Sequence, residues 1–211
     1  MKLYTWKHAP NPQRVIIFIQ EKQIDMPTVD VGEPQSSQLS EAYLQKTDHR
    51  VVPLLELEDG MKISESMAIC RYLETLYPQK PLFGTNPTQQ ASVDMWERLA
   101  DIEGLGAASE IFRNSHPTFV NRGLAGQLEP IPQIPELVDR GKARMICFFK
   151  KFDVQIADKP YVVGDNFSVA DITAFCATRF AIKVCKVAIP SQYNNFSRWF
   201  NTISDRPSIK T

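Results

Sequence analysis

The chain has 211 residues, with 24 Lys+Arg balancing 24 Asp+Glu, 43% hydrophobic residues and 15 prolines. Zero net charge argues against a protein whose main task is neutralising nucleic-acid phosphates or an anionic membrane, since both need a clear excess of basic side chains. No run approaches the roughly 18 apolar residues that span a bilayer, and Met1 leads into a strand pattern rather than a basic-then-apolar leader, so a soluble cytoplasmic protein is expected.

Taken in chain order, residues 2–6 alternate as a strand, and Val15, Ile16, Phe18 and Ile19 after Pro12 mark a mostly buried helix. Residues 28–31 make a second strand and residues 40–46 a short, weak helix. Strand patterns at 51–57 and 61–63 flank Asp59-Gly60, a two-residue hairpin signal. A helix follows, with Ile69, Cys70, Leu73, Leu76 and Tyr77 at i, i+3, i+4 spacing. The order β-α-β-α-β-β-α is a thioredoxin-like arrangement. Pro78, Pro81 and Pro87, with Gly84 and Asn86, then interrupt the chain. The expected organisation is a first domain over 1–78, a linker over 79–87 and a second domain over 88–211. Charge divides weakly across the break, 8 basic against 11 acidic residues in 1–78 and 16 against 13 in 79–211, hence −3 and +3.

The second part has no convincing strand pattern. A helix over 88–115 carries Met95, Trp96, Leu99, Ile102 and Leu105 on one face. The cluster Pro130-Ile131-Pro132 with Pro135 precedes an amphipathic helix containing Leu137, Met145, Phe148, Phe149 and Phe152, and helices over 168–186 and 191–204 complete an all-helical bundle. Cys70, Cys147, Cys176 and Cys185 form no C-x-x-C, and His8, His49 and His116 are scattered, so no metal site is expected and the thiols read as buried structural groups.

The sharpest local signal is Gly164-Asp165-Asn166-Phe167-Ser168-Val169-Ala170-Asp171-Ile172. With Ser168 as N-cap, the Asp171 carboxylate can reach back to the Ser168 amide, and Phe167 and Ile172 occupy the hydrophobic-staple positions. A carboxylate held in such a box starts a helix rather than catalysing a reaction.

Together, the βαβαββα first part, Val52-Pro53 before its hairpin, Glu65-Ser66 opening its last helix, the proline-rich linker, Gly164 to Asp171, and Arg198-Trp199-Phe200 with Arg206-Pro207 resemble a cytosolic glutathione transferase of bacterial type over nearly the whole chain. The resemblance implies glutathione as co-substrate, no metal, a homodimer, and a small hydrophobic electrophile or a disulfide as second substrate. It also implies a cis Pro53 that leaves the Val52 backbone as an edge for the peptide-like part of glutathione. Glu65 and Ser66 suit the ammonium and carboxylate of the γ-glutamyl group, the latter at a helix N-terminus. For the glycyl carboxylate, the common Lys or Gln before V-P is replaced by Val51. Arg50 is preferred there for its fixed fork, with His49, Gln38 and Lys46 as other cations or donors.

Thiol activation would fall on residues 6–15. A free thiol of pKa about 8.5 is only about 3% ionised at pH 7, and lowering that pKa by two units takes about 2.7 kcal/mol. One hydrogen bond to the thiolate at a helix start is of that size. The serine or cysteine position of the family falls on or near Ala9, and neither residue type occurs between Met1 and Ser36. Asn11, within Ala9-Pro10-Asn11-Pro12, resembles the T-P-N of nu-class bacterial enzymes, with the threonine missing. It is the candidate catalytic donor, and a plain turn residue before Pro12 is the competing description. Tyr4 is a sheet aromatic or a second donor. Trp6, His8, Phe112 and His116 are candidates for an electrophile pocket between the domains, with Trp96 and Ile111 weaker ones. Asp101 and Glu103 are weak candidates for reaching a partner's ligand. Two functions stand side by side: a glutathione transferase, or a non-catalytic glutathione-binding or regulatory protein of the same fold.

Overall fold

Strand β1 (Lys2–Thr5) buries Leu3, Tyr4 and Thr5 on alternate faces, as a strand at the centre of a sheet does. The computed structural model describes residues 1–32, 43, 45–46, 51–127 and 129–210. Within these, β1 pairs in parallel with β2 (Thr28–Asp30) and antiparallel with β3 (Leu54–Glu56). β3 pairs antiparallel with β4 (Lys62–Ile63), which gives the mixed order β2-β1-β3-β4. Parallel neighbours need a crossover, and α1 (Pro10–Lys22) supplies it, burying Val15, Ile17, Phe18 and Ile19. α2 (Ser66–Leu76) packs against α1 through Ile69, Cys70 and Leu73, whereas Leu76, expected on the same face, is 47% exposed. The buried Lys22 ammonium links the two helices, pairing with Glu74 and donating to the Tyr77 carbonyl at 2.7 Å.

The β3–β4 connection is one residue longer than the Asp59-Gly60 signal suggests. The Leu57 amide donates to the Met61 carbonyl at 2.8 Å, so residues 58–60 form the loop. Gly60 takes the left-handed position at φ 87°, the usual close of a three-residue hairpin. The expected weak helix over 40–46 lies outside the described residues except for Tyr43, Gln45 and Lys46, and of these Tyr43 is helical.

By its internal contacts the chain divides into two units, Met1–Lys80 with Leu124–Ile131, and Pro81–Gly123 with Pro132–Thr211. The second is helical. α3 (Pro87–Leu99) is capped by the Asn86 side chain, which accepts from the Gln89 amide at 3.0 Å. It runs without a break through a π-helical segment (Ala100–Leu105) into α4 (Gly106–Ser115). Those wider turns rotate every later side chain relative to an α-helical wheel. The α-helical register expected to carry one apolar stripe through this stretch is therefore broken at Ala100–Leu105. Val93, Ala100, Leu105, Ala108 and Ile111 are buried, while Met95 and Ile102 are 53% and 45% exposed.

α5 (Glu136–Gln155), α6 (Val169–Lys183) and α7 (Asn194–Ser204) complete the unit. Its core is aromatic. Phe148 and Phe152 lie 4.5 Å apart by ring centroids, Phe149 and Phe196 5.3 Å, and Phe196 and Trp199 5.0 Å. α6 is buried on every face from Val169 to Thr178, the pattern of a helix inside a bundle. Its start is fixed by the capping box, and Asp171, with no exposure, accepts from the Ser168 amide at 3.0 Å and the Ser168 hydroxyl at 3.1 Å. The other carboxylate oxygen accepts from the Val162 amide and the Trp199 indole, both at 2.9 Å. Four donors thus tie the loop before α6, its first turn and α7 to one side chain. Even so, burial pushes the Asp171 carboxyl up to about 6.

Among the described residues no helix is long and apolar enough to cross a membrane, and no group of three or more His, Cys, Asp or Glu could hold a metal. Cys70 and Cys176 are buried as expected, but Cys147 is exposed on α5. Its neighbours on the helix explain this, since Met145, Phe148 and Phe149 occupy the buried face.

Candidate functional site

The start of α1 has an unusual donor inventory. An α-helix leaves its first amides without intrahelical partners, but here the first and third helical residues are Pro10 and Pro12, which have no N–H. The Ala9 amide donates to the Trp6 carbonyl at 3.0 Å and the Gln13 amide to the Ala9 carbonyl at 3.2 Å. Asn11 is left with the one backbone amide of this turn that has no acceptor among the described residues.

The Asn11 side chain adds to it. Asn11 is exposed and lies inside the first turn of α1, so it is not a turn residue ahead of the helix. Its carbonyl oxygen accepts from Arg14 Nη1 at 3.1 Å. Arg14 is buried, with 3% exposure, and one helical turn further on. That bond fixes which end of the amide faces outward: Nδ2, with two N–H donors and no acceptor among the described residues. The i+3 spacing of Arg14 from Asn11 is readable in the sequence, but nothing in the local pattern marks the pair as a site.

Tyr4, the other candidate donor, is committed elsewhere. Its hydroxyl donates to Glu56 Oε2 at 2.6 Å, and the Lys46 ammonium sits 5.2 Å from its ring centroid and 3.8 Å from the same carboxylate oxygen. Burial and the Glu56 hydrogen bond both raise the Tyr4 pKa, the direction opposite to an activating phenol. Lys46, considered for the glycyl carboxylate, is held in this group, and Arg50, His49 and Gln38 lie outside the described residues.

Val52–Pro53 is a cis peptide bond. Val52 packs with Tyr4, Val31, Tyr43 and Leu54, and Trp6 and Ala9 rest against that cluster. The structure thus gathers the α1 start and the Val52 edge around one apolar nucleus. Neither the N–H nor the C=O of Val52 has a partner among the described residues. Just before it, the Val51 carbonyl accepts from the Tyr43 hydroxyl at 2.7 Å. Tyr43 is 4% exposed, and its ring meets Tyr4 edge-on at 6.3 Å. Tyr43 lay in the weakly patterned stretch, and no sequence signal singled it out.

At the start of α2, Glu65 is the N-cap and Ser66 the first helical residue. The amides of Ser66, Met67 and Ala68 precede the first intrahelical bond, Ile69 N–H to Glu65 C=O at 2.9 Å. The Ser66 side chain is 3% exposed and its hydroxyl has no partner among the described residues, while Glu65 is exposed. Three amides, a hydroxyl and the positive helix end are donors of the kind that suits a carboxylate, and the Glu65 carboxylate is an acceptor of the kind that suits an ammonium.

The pocket candidates separate by unit. In the first, Trp6 packs so closely on Gly32 that a Cβ there would fall 1.5 Å from the indole, and the exposed His8 stands edge-on to Trp6 at 6.1 Å. In the second, Phe112 packs within 5.2 Å of the His116, Phe119 and Phe180 rings. His116 Nδ1 lies 2.8 Å from Thr118 Oγ1. Ile111 is core, and Asp101 and Glu103 pair with Arg98 and Lys151.

Comparison with known proteins finds relatives along the whole chain. Residues 3–81 match the family description "Glutathione S-transferase, N-terminal domain" and residues 125–207 "Glutathione S-transferase, C-terminal domain". Glutathione S-transferase 2 of Saccharomyces cerevisiae is 30% identical over 212 residues, covering 100% of this chain and 88% of that protein. Among solved structures, Gtt2 from Saccharomyces cerevisiae superposes with a TM-score of 0.87 at 29% identity, covering 100% of this chain and 99% of its own. A glutathione S-transferase of class Gtt2 from Vibrio parahaemolyticus gives 0.83 at 33% identity, with 100% and 96% covered. With both halves matched, the sheet order and the helical unit in place, and full-length relatives at this identity, the chain belongs to the glutathione S-transferase family.

Proposed function

We propose that the protein is a glutathione transferase that activates the glutathione thiol with the two donors of Asn11, its backbone amide and Nδ2, rather than with a tyrosine, serine or cysteine. The observation that carries this is the donor inventory of the first turn of α1, where Asn11 has a backbone amide and a side-chain Nδ2 with no acceptor among the described residues while Tyr4 donates to Glu56. An asparagine amide cannot take the thiol proton, so the stabilisation is electrostatic. Val52 would pair with the peptide part of glutathione, Glu65 and Ser66 would hold its γ-glutamyl end, and Arg50 its glycyl carboxylate. Trp6, His8, Phe112 and His116 are the side chains proposed to meet a small hydrophobic electrophile or disulfide. A homodimer belongs to this reading, and exposed Met95 and Ile102 give it apolar surface to cover.

The test is Asn11→Ala. Turnover with a chromogenic electrophile should fall about tenfold, equivalent to about 1.4 kcal/mol, and the thiol pKa of bound glutathione should rise. Stabilisation by glutathione in a thermal shift should persist. Unchanged turnover removes Asn11 from the mechanism. A glutathione-binding protein without turnover is the second reading, favoured by Ala9 where the family places a hydroxyl or thiol; binding of glutathione with no lowering of its thiol pKa would select it.

A further inference from the structure

We propose that Arg14 is a positioning residue for thiol activation, acting through Asn11: its buried guanidinium holds the Asn11 side-chain oxygen and so turns the two Nδ2 hydrogens toward the sulfur. The role rests on Asn11 as the donor to the sulfur, proposed above, and supplies what makes that donor usable. A primary amide is nearly symmetric in shape but opposite in chemistry at its two ends, one a double donor and the other an acceptor only. On an exposed residue such as Asn11, shape does not decide which end faces out. With Oδ1 outward, the same side chain would repel a thiolate that Nδ2 would attract.

Arg14 breaks that tie. Its Nη1 donates to Asn11 Oδ1 at 3.1 Å, and at 3% exposure the guanidinium is held by packing rather than free to swing into solvent. A guanidinium has donors only, so it can bond the oxygen end of the amide and never the nitrogen end. A hydrogen bond from a charged donor is about twice as strong as a neutral one, and polarising the amide through its oxygen strengthens donation from its nitrogen.

The placement of the charge points the same way. Cations are favourable near a helix C-terminus rather than its N-terminus, and a buried guanidinium carries a desolvation cost. α1 has Lys22, the favourable case, in its last turn, yet it also buries Arg14 just past its first turn, where no acidic residue stands. Helix stability selects Lys22 and not Arg14. The other charged and titratable groups around α1 are placed or committed elsewhere. Lys7 and His8 of the preceding loop are exposed, Tyr4 of β1 is engaged with Glu56 of β3 beside Lys46, and Glu74 of α2 pairs with Lys22 at the far end of the helix.

The experiment follows kcat against pH in the full chain with glutathione and a chromogenic electrophile, beside the thiolate absorbance of bound glutathione. Arg14→Met keeps a long stem and removes both charge and donors. It should raise the thiol pKa by about one unit, so that kcat below both pKa values falls about tenfold and returns toward the parent's at high pH, with KM for glutathione little changed. Arg14→Lys, which keeps a charge and a donor, should recover part of the shift. In 15N-labelled protein the Asn11 side-chain NH2 resonances should respond to glutathione in the parent and not in Arg14→Met, a readout independent of turnover. In an Asn11→Ala background, Arg14→Met should leave the pH profile where Asn11→Ala puts it; should Arg14→Met fail to fold, Arg14→Lys in the two backgrounds makes the same comparison. A parental profile in the Arg14 variants, or a shift of equal size with and without Asn11, would overturn the proposal and leave Asn11 as the donor. An Asn11→Ala protein with the parent's profile would overturn both.

Discussion

Replacing Tyr43 by Phe removes one oxygen and retains the ring, which isolates a single hydrogen bond. The Tyr43 hydroxyl donates to the Val51 carbonyl at 2.7 Å from a side chain only 4% exposed, beside a half-buried Val51. A neutral bond of this kind contributes about 0.5–1.5 kcal/mol net, and a partly wet carbonyl left without its donor keeps the cost near the lower half of the range for buried groups. Tyr43→Phe should therefore destabilise the protein by about 1 kcal/mol in urea unfolding, with an unchanged m-value. Val51 leads directly into Val52, so the same loss should loosen the proposed peptide edge. About 1 kcal/mol corresponds to a rise of about fivefold in KM for glutathione, with kcat little changed because the donors proposed for the sulfur are on α1. Tyr43→Ala, which also empties the space against Tyr4, Val52 and Leu54, should cost about 3–5 kcal/mol. A Tyr43→Phe protein with the parent's unfolding midpoint and KM would refute this account, and a loss in kcat rather than KM would move the effect to the α1 start.

Asp171→Ala should be among the most destabilising single changes in the helical unit, since three buried N–H donors lose their acceptor, at about 1–3 kcal/mol each. Its carboxyl is raised from 3.8 to about 6 in the folded protein, so its stabilising contribution is fully present below the unfolded value and is lost as pH rises through the folded one. The urea-measured difference between parent and Asp171→Ala should accordingly shrink by up to about 3 kcal/mol between about pH 4 and pH 7; a difference that grows would reverse the assignment. Arg198→Ala should cost about 1–3 kcal/mol, because its Nη2 caps the end of α5 through the Ile156 carbonyl at 2.8 Å, and a measured change below a few tenths would show that water replaces it.

Much of this was legible in the sequence because local rules and the fold agree. The alternation of 2–6, the apolar spacing after Pro12 and the Ser168-to-Asp171 box each specify an element from a handful of neighbouring residues, and β1, α1 and the start of α6 lie close to where those rules put them. Features were missed where the deciding contact comes from elsewhere. The π-helical segment packs against α5 and α6 and takes Ile102 out of the α-helical register on which the expected core rested, whereas Met95 precedes it and is exposed within α3 itself. The commitment of Tyr4 to Glu56 depends on the β1–β3 register. The outward end of Asn11 depends on the direction of one buried guanidinium. Cys147 looked like any other thiol until the aromatic residues around it had claimed the inner face of α5.

The prolines at the start of α1 also act as a filter on ligand shape. With two of three early amides missing, that helix end concentrates its backbone donor strength at one point and offers a forked anion no pair of adjacent amides. α2 offers consecutive amides from Ser66, Met67 and Ala68, a comb suited to two oxygens. A ligand carrying both a monatomic anion and a carboxylate would be sorted by donor count alone, the sulfur to α1 and the carboxylate to α2. Orientation would then be decided by where nitrogens lack hydrogens as much as by where they have them.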